Sequence, residues 1–257
     1  MSKLRVDPTN VYFFIATCLI QPILRSSYLV RKVKNLSDII DFSKFCSKQF
    51  PNYKITYTRN KAIDKCFEMI VNPDLSLSLG SNRSYQVVEF GVAHGYLADR
   101  CFGSKSSSRK KRRVILPSRW DGFDTFTGLP EEWRDRSEGE FSNFGKLPDQ
   151  RSKKTFYHKG LINSTFSTER FRELKISDHA VFFIFDFDLH SPTFFAYQAI
   201  KESISPGDIL YFDQAFDSAE RSVLIQALDE FEFKLVTATL WSIAVMVEEK
   251  NPSECVI

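Results

Sequence analysis

The five cysteines, Cys18, Cys46, Cys66, Cys101 and Cys255, include no CxxC pair, and their number is odd. A disulfide framework and a structural zinc are therefore not expected, and a reducing, cytoplasmic setting is. Long apolar runs are also missing. The most hydrophobic early stretch, VYFFIATCLIQPIL at residues 11–24, is interrupted by Gln21 and Pro22, whereas a membrane span needs ~20 apolar residues. Ile23, Leu24 and Arg25 follow where a signal peptide would place small residues. The stretch reads as a helix packed on its own domain or on a second copy of the chain, which makes it a candidate dimer element. A membrane-surface anchor is the alternative, with Arg25, Arg31, Lys32 and Lys34 just downstream. The net charge of +3 is too small to indicate nucleic acid. No internal repeat is visible.

The dinucleotide signature GxGxxG and the lysine of a phosphate loop are absent too. In their place stands VVEFGVAHG at residues 87–95, an apolar strand ending in Glu89 with Gly91 and Gly95 in the turn before a helix. This disfavours a pyrophosphate cradle. Glycine allows a positive φ and a close approach of ligand to backbone, which suits a small nucleoside ligand with a carboxylate end. A valine at Gly91 is expected to block such a ligand while leaving the fold intact. Gly91 could equally do no more than close a strand–helix turn.

What is present is an ordinary globular composition, 43% hydrophobic and 26% charged, with 25 phenylalanines that read as core material. Residues 1–60 read as a helical amino-terminal extension and 61–257 as one α/β domain. Ile63, Phe67 and Ile70 recur at helical spacing within 60–72. Strands are expected at 85–90, at 112–116 with a less regular continuation to 123, and at 155–160, 181–187, 208–213, 233–240 and 242–249. Helices are expected at 96–102, 193–204 and 218–231. This alternation predicts a mostly parallel sheet covered by helices, closed by an antiparallel final pair. The segment GSKSSSRKKRR at 103–113 reads as a solvated basic loop, with an anionic partner as the alternative.

Carboxylates mark the strand ends. Asp124, with Asp121 as the alternate, stands where an acid can accept hydrogen bonds from ribose hydroxyls, although both could be turn or cap residues. VFFIFDFDLHSP at 181–192 carries Asp186 and Asp188 out of an apolar strand, and DILYFD brings Asp213 to the same edge. Three carboxylates there repel one another unless a cation or a proton sits among them. They either cap loops and pair with nearby Lys or Arg, or they form a site. His190, two positions on, could serve as acid or base, or be a structural residue.

VVEFGVAHG, FDTFTGLPEEW, GEFSNFGKLPD, FYHKGLINSTF and the run from Phe185 to Gln214, with the lead-in YTRNKAI, occur in the order seen in the macrocin O-methyltransferase (TylF-like) family, which the chain resembles over roughly residues 55–235. That family belongs to the class I S-adenosylmethionine (SAM) methyltransferases. The resemblance implies a Rossmann-like fold of seven strands with a reversed last strand, and Mg²⁺-dependent methylation of a hydroxyl on a sugar or other small molecule. It implies that Glu89, Gly91 and Gly95 frame the methionine end of SAM and that Asp124 holds the ribose. Phe141 would belong to the cover over the substrate. Asp186 and Asp213 would be metal ligands, with Gln214 able to add a neutral oxygen, and Asp188 would be the general base. The chain departs from the family pattern at Gln214, where a second acid is common, at His190, where tyrosine is usual, and at Tyr96, where a small residue is frequent. A SAM-fold protein with lost or altered catalysis, acting as a binding or assembly partner, is the alternative. Another α/β enzyme, such as a nucleotide-sugar enzyme, would need the phosphate cradle that the turn lacks.

Overall fold

The structure, a computed structural model, describes residues 27–51, 53–56, 58–73, 83–102, 115–150 and 152–251. The apolar stretch at 11–24, the basic loop at 103–113, Cys18 and Cys255 lie outside the described residues. Helix α1 (Ser27–Gln49) and helix α2 (Arg59–Val71) precede strand β1 (Tyr85–Phe90), helix α3 (Tyr96–Phe102), β2 (Arg119–Asp124) and β3 (Thr155–Lys159). Helices α4 (Ile162–Thr165) and α5 (Thr168–Leu174) lead to β4 (Ala180–Phe185) and α6 (His190–Ile200). The chain finishes with β5 (Ile209–Phe212), α7 (Ser218–Glu230), β6 (Phe231–Ala238) and β7 (Ile243–Lys250).

The strands form one sheet in the order β3-β2-β1-β4-β5-β7-β6. Pairings from β3 through β5 are parallel, and β7 runs antiparallel to both β5 and β6. This is the Rossmann-like class I methyltransferase fold, with the last strand reversed and inserted beside β5. Order reverses between β1 and β4, which places the topological switch point, and hence the ligand crevice, at their carboxyl ends.

Two expected boundaries move. Strand β2 begins at Arg119, not near 112, and residues 115–118 carry no strand. Pro117 explains this, because it has no N–H to give to a central ladder. Helix α6 starts three residues earlier than expected, at His190. Pro192 falls in its first turn, where the missing N–H costs nothing.

Alternation along each strand divides the core between the two faces of the sheet. Val88, Phe90, Phe123, Phe183, Phe185 and Phe212 pack with Phe42, Cys46 and Phe50 of the amino-terminal segment and with α6 and α7. Val87, Trp120, Phe182, Ile184 and Tyr211 pack with Ile63, Cys66 and Ile70 of α2 and with Leu97 and Cys101 of α3. The phenylalanines stack from strand to strand, with ring centroids 5.3 Å apart for Phe90 and Phe185 and 4.8 Å for Phe185 and Phe212. Their burial fixes the register of β1, β4 and β5, and with it the line of residues just past their ends. No helix of the described residues is long and apolar enough to cross a membrane.

Candidate functional site

The ladder continues one residue past the strands. Gly91 N–H donates to Phe123 O (3.0 Å), Asp186 N–H to Phe90 O (2.8 Å) and Asp213 N–H to Phe185 O (2.9 Å). Gly91, Asp186 and Asp213 therefore stand in a row along the carboxyl edge. Above them lies a cavity of ≈ 510 Å³, within the range of small-molecule sites. Its wall includes Arg59, Gly91, Asp124, Asp186, Asp188 and Asp213, and also Gln214. Phe141, on the segment after Gly139, lines it as well.

Several expected site residues stand elsewhere. Glu89 does not line the cavity. It is buried and accepts a hydrogen bond from Trp120 Nε1 at 2.9 Å. Burial pushes its carboxyl up to about 8. Gly95 is also off the wall: a Cβ there would lie 2.7 Å from Pro148 Cβ and 3.0 Å from the Tyr157 hydroxyl, so its role is close packing. His190 is exposed at the start of α6, its ring stacked on Phe194 at 5.6 Å, and does not line the cavity. Asp121 is fully buried between Arg119 and His158, at 2.5 and 2.8 Å. It braces β2 from within.

Asp124 and Gly91 do line the cavity, but each is tied to the protein. Asp124 Oδ2 accepts the N–H groups of Val92 (2.7 Å) and Ala93 (2.8 Å), and Oδ1 accepts that of Phe126 (2.6 Å). Its carboxylate thus holds the glycine turn in shape. At Gly91, with φ +86°, a Cβ would fall 2.0 Å from the Asp186 carbonyl oxygen. A valine there would collide with backbone, so a selective loss of ligand with an intact fold is not what the geometry predicts.

The carboxylate cluster contains a cation, and it is a side chain. Arg59, the first residue of α2, donates from Nη2 to Asp186 Oδ2, and its Nε lies 2.7 Å from Asp213 Oδ1. The charges of Asp186 and Asp213 outweigh burial and keep the guanidinium protonated. Asp213 also accepts a hydrogen bond from the Tyr211 hydroxyl at 2.6 Å and faces the Gln214 amide nitrogen at 3.5 Å. A Mg²⁺ ligand must present a bare oxygen to the metal. Asp213 instead has both oxygens facing protein donors, and Gln214 turns its nitrogen, not its oxygen, towards it. Among the described residues, no group of three or more His, Cys, Asp or Glu is arranged to hold a metal ion. The residues present do not fit the expected Mg²⁺ site.

Asp188 differs from its neighbours. It is 7% exposed, and its Oδ1 is buried without a hydrogen-bond partner. Burial, and after it the charge of Asp213, pushes its carboxyl up to about 7. Its backbone is left-handed at φ +64°, a strained conformation for a residue with a side chain. The buried carboxylate of Glu220, in the first turn of α7, accepts the Asp188 N–H (3.2 Å) and the Gln214 N–H (2.9 Å). Glu220 thereby ties together the loops after β4 and β5. Sequence reading missed it, because Asp217 followed three residues later by Glu220 has the spacing of a helix capping box. It missed Arg59 as well, although the need of the carboxylates for a cation was the available signal.

No protein-family model matches the chain, and no curated protein does. Among solved structures, the chain is similar to CalS11, a calicheamicin methyltransferase, at 16% identity over 95% of this chain and 94% of that one, with a TM-score of 0.46. It is also similar to the O-methyltransferase NovP, at 16% identity over 85% of this chain and 100% of that one, with a TM-score of 0.46. A third likeness is to the MycE methyltransferase of mycinamycin biosynthesis, seen with Mg, SAH and mycinamycin VI, at 13% identity over 98% of this chain and 66% of that one, with a TM-score of 0.41. At these values the likenesses say nothing of this chain's chemistry, and the fold rests on its strand order.

Proposed function

We propose that the chain is a SAM-dependent O-methyltransferase acting on a hydroxyl of a sugar or other small molecule, with Asp188 as the general base. The observation that carries this reading is the buried, unpartnered Oδ1 of Asp188 in the wall of a cavity that also contains the glycine turn at Gly91. Leaving a carboxylate oxygen buried and unpaired is unfavourable, so a ligand proton is its natural complement.

The cavity suits the cofactor. The carboxyl groups of Asp186, Asp188 and Asp213 line the cavity beside the one guanidinium of Arg59. Burial, and after it the charge of Asp213, pushes Asp186 up, so a positive sulfur bound there would favour its ionised form. Gly91 and Ala93 would receive the methionine end, Asp124 and Thr125 the ribose, and Phe123, Leu161 and Ile162 would make an apolar wall for the adenine. When bound, SAM supplies a methyl group on that sulfur, ready for transfer to an oxygen nucleophile. The chain's own task is to place the acceptor hydroxyl at Asp188 and to take its proton on Oδ1. A carboxyl held near about 7 by burial and Asp213 is poised for this exchange. Leu129, Pro130, Phe141, Leu189 and Phe195 give the remaining wall an apolar character that would exclude water and pack against an acceptor face.

A second reading has its own support. Gln214 in place of an acid and the pairing of Arg59 with Asp186 and Asp213 also suit a SAM-fold protein that binds cofactor without turnover and serves as an assembly partner. Incubation with methyl-labelled SAM and cell extract, followed by mass spectrometry for methylated glycosides or phenols, separates the two. Labelled product with the natural protein and none with Asp188→Asn supports the enzyme. Cofactor binding without any product supports the partner.

A further inference from the structure

We infer that the guanidinium of Arg59 is the resident cation of this carboxylate site and stands in place of a divalent metal. Three observations converge on it. First, the residues ahead of α2 are anchored to the sheet. Ahead of α2, Thr56 N–H donates to Ala238 O at 2.6 Å, Thr56 Oγ1 lies 2.7 Å from Thr237 Oγ1, and Ile55 bridges to Ala238. Thr58 then caps the helix by accepting the Lys61 N–H at 3.2 Å. Arg59 is the first residue of that helix and reaches the cavity at the edge of the sheet.

Second, the guanidinium lies between the two carboxylates at the ends of adjacent strands β4 and β5: it donates to Asp186, and its Nε stands 2.7 Å from Asp213 as an ion pair without hydrogen-bond geometry. A metal bridging the facing oxygens of this pair would compete with Arg59 for Asp186 Oδ2 and with Tyr211 for Asp213 Oδ1. A guanidinium supplies positive charge to both carboxylates without the dehydration that Mg²⁺ resists. Third, Arg59 is 39% exposed and forms part of the cavity wall. It therefore belongs to the surface a bound molecule meets, and acts as a positioning residue that keeps Asp186 and Asp213 neutralised beside Asp188.

This inference deepens the proposed methyltransferase site, and the two are tested by different readouts. Binding of free Mn²⁺ to the full chain, followed by the loss of its paramagnetic resonance signal, tests the cation. Calorimetry with S-adenosylhomocysteine (SAH) in the presence of EDTA tests the cofactor site. The natural protein should leave millimolar Mn²⁺ free, and EDTA should leave SAH affinity unchanged. Arg59→Ala should gain Mn²⁺ binding, Arg59→Ala with Asp213→Asn should lose it again, and Arg59→Lys should exclude Mn²⁺ as the natural protein does. Mn²⁺ binding by the natural protein that disappears in Asp213→Asn would overturn the inference, and this arm needs no Arg59 variant to fold. Failure of SAH to bind would count against the methyltransferase reading and leave the metal result standing.

Discussion

Among the described residues, Arg134 and Arg59 each lie between two aspartates, and they sit in opposite circumstances. Arg134 is 12% exposed and fully engaged: Nε donates to Asp217 at 2.5 Å, Nη2 to Asp38 at 2.8 Å and Nη1 to Asn35 at 2.6 Å, with the guanidinium 4.4 Å from the Phe216 ring centroid. It clips the segment before Phe141 to α1 and to the cap of α7. Arg59 also joins two aspartates, but it is 39% exposed, faces the cavity and stands by the unpartnered Oδ1 of Asp188. The two clusters are built from the same residue types. What separates a clamp from a candidate site is that Asp188 Oδ1 and Arg59 Nε are buried without a hydrogen-bond partner.

The comparison breaks most sharply at Asp188. Asp188→Asn should lower turnover by roughly 10²–10⁴-fold, the usual contribution of a general base, and leave the SAH dissociation constant within a few-fold. Initial rates with labelled SAM and calorimetry check this. Arg134→Met should do the reverse. It leaves two aspartates without their cation, which costs about 3 kcal/mol of stability in a denaturant titration, while the folded protein still binds SAH. Equal effects of the two substitutions on turnover and on stability would erase the distinction.

Glu89 gives a pH-dependent test of the layer beneath the turn. Its native carboxyl stands at about 8, above the ordinary 4.5, because it is buried. The native state therefore holds this proton more tightly than the unfolded chain does. Its contribution is complete below about 4.5 and declines as pH rises to about 8, by on the order of a few kcal/mol. Glu89→Gln keeps an acceptor for Trp120 Nε1 and should flatten this slope in thermal melts across the range. An unchanged slope would show that Glu89 is not its source.

Smaller effects are expected at Glu220 and Asp124, two of the carboxylates that hold backbone. Glu220→Gln removes an acceptor from one of two N–H groups and should cost about 1–3 kcal/mol, with a fall in turnover larger than any change in SAH affinity. Asp124→Ala frees the N–H groups of Val92, Ala93 and Phe126. It should weaken SAH about ten- to hundredfold and also lower stability by about 1–3 kcal/mol. A purely ribose-binding Asp124 would change affinity and leave the melting temperature in place.

The sheet was legible because apolar alternation and the strand-terminal glycine and aspartates are local signals. VVEFG, FFIFD and ILYFD each announce where a strand stops. The location of β2 was less legible, since the apolar run at 115–116 precedes Pro117 and lies outside the strand. The site was half legible. Asp186, Asp188 and Asp213 converge as the parallel pairing requires. What neutralises them lies 127 residues away in sequence from Asp186, and no local pattern links a helix-starting arginine to a distant strand end. Glu89 and Gly95 lie off the cavity wall because side-chain direction, not sequence spacing, decides which residues face it.

Titration of the full chain with SAH, followed by calorimetry, tests the central claim most directly. The account predicts saturable binding of one SAH per chain, competed by SAM and weakened in Asp124→Ala. No binding to the folded protein at concentrations well above those that saturate SAM-dependent enzymes would contradict it.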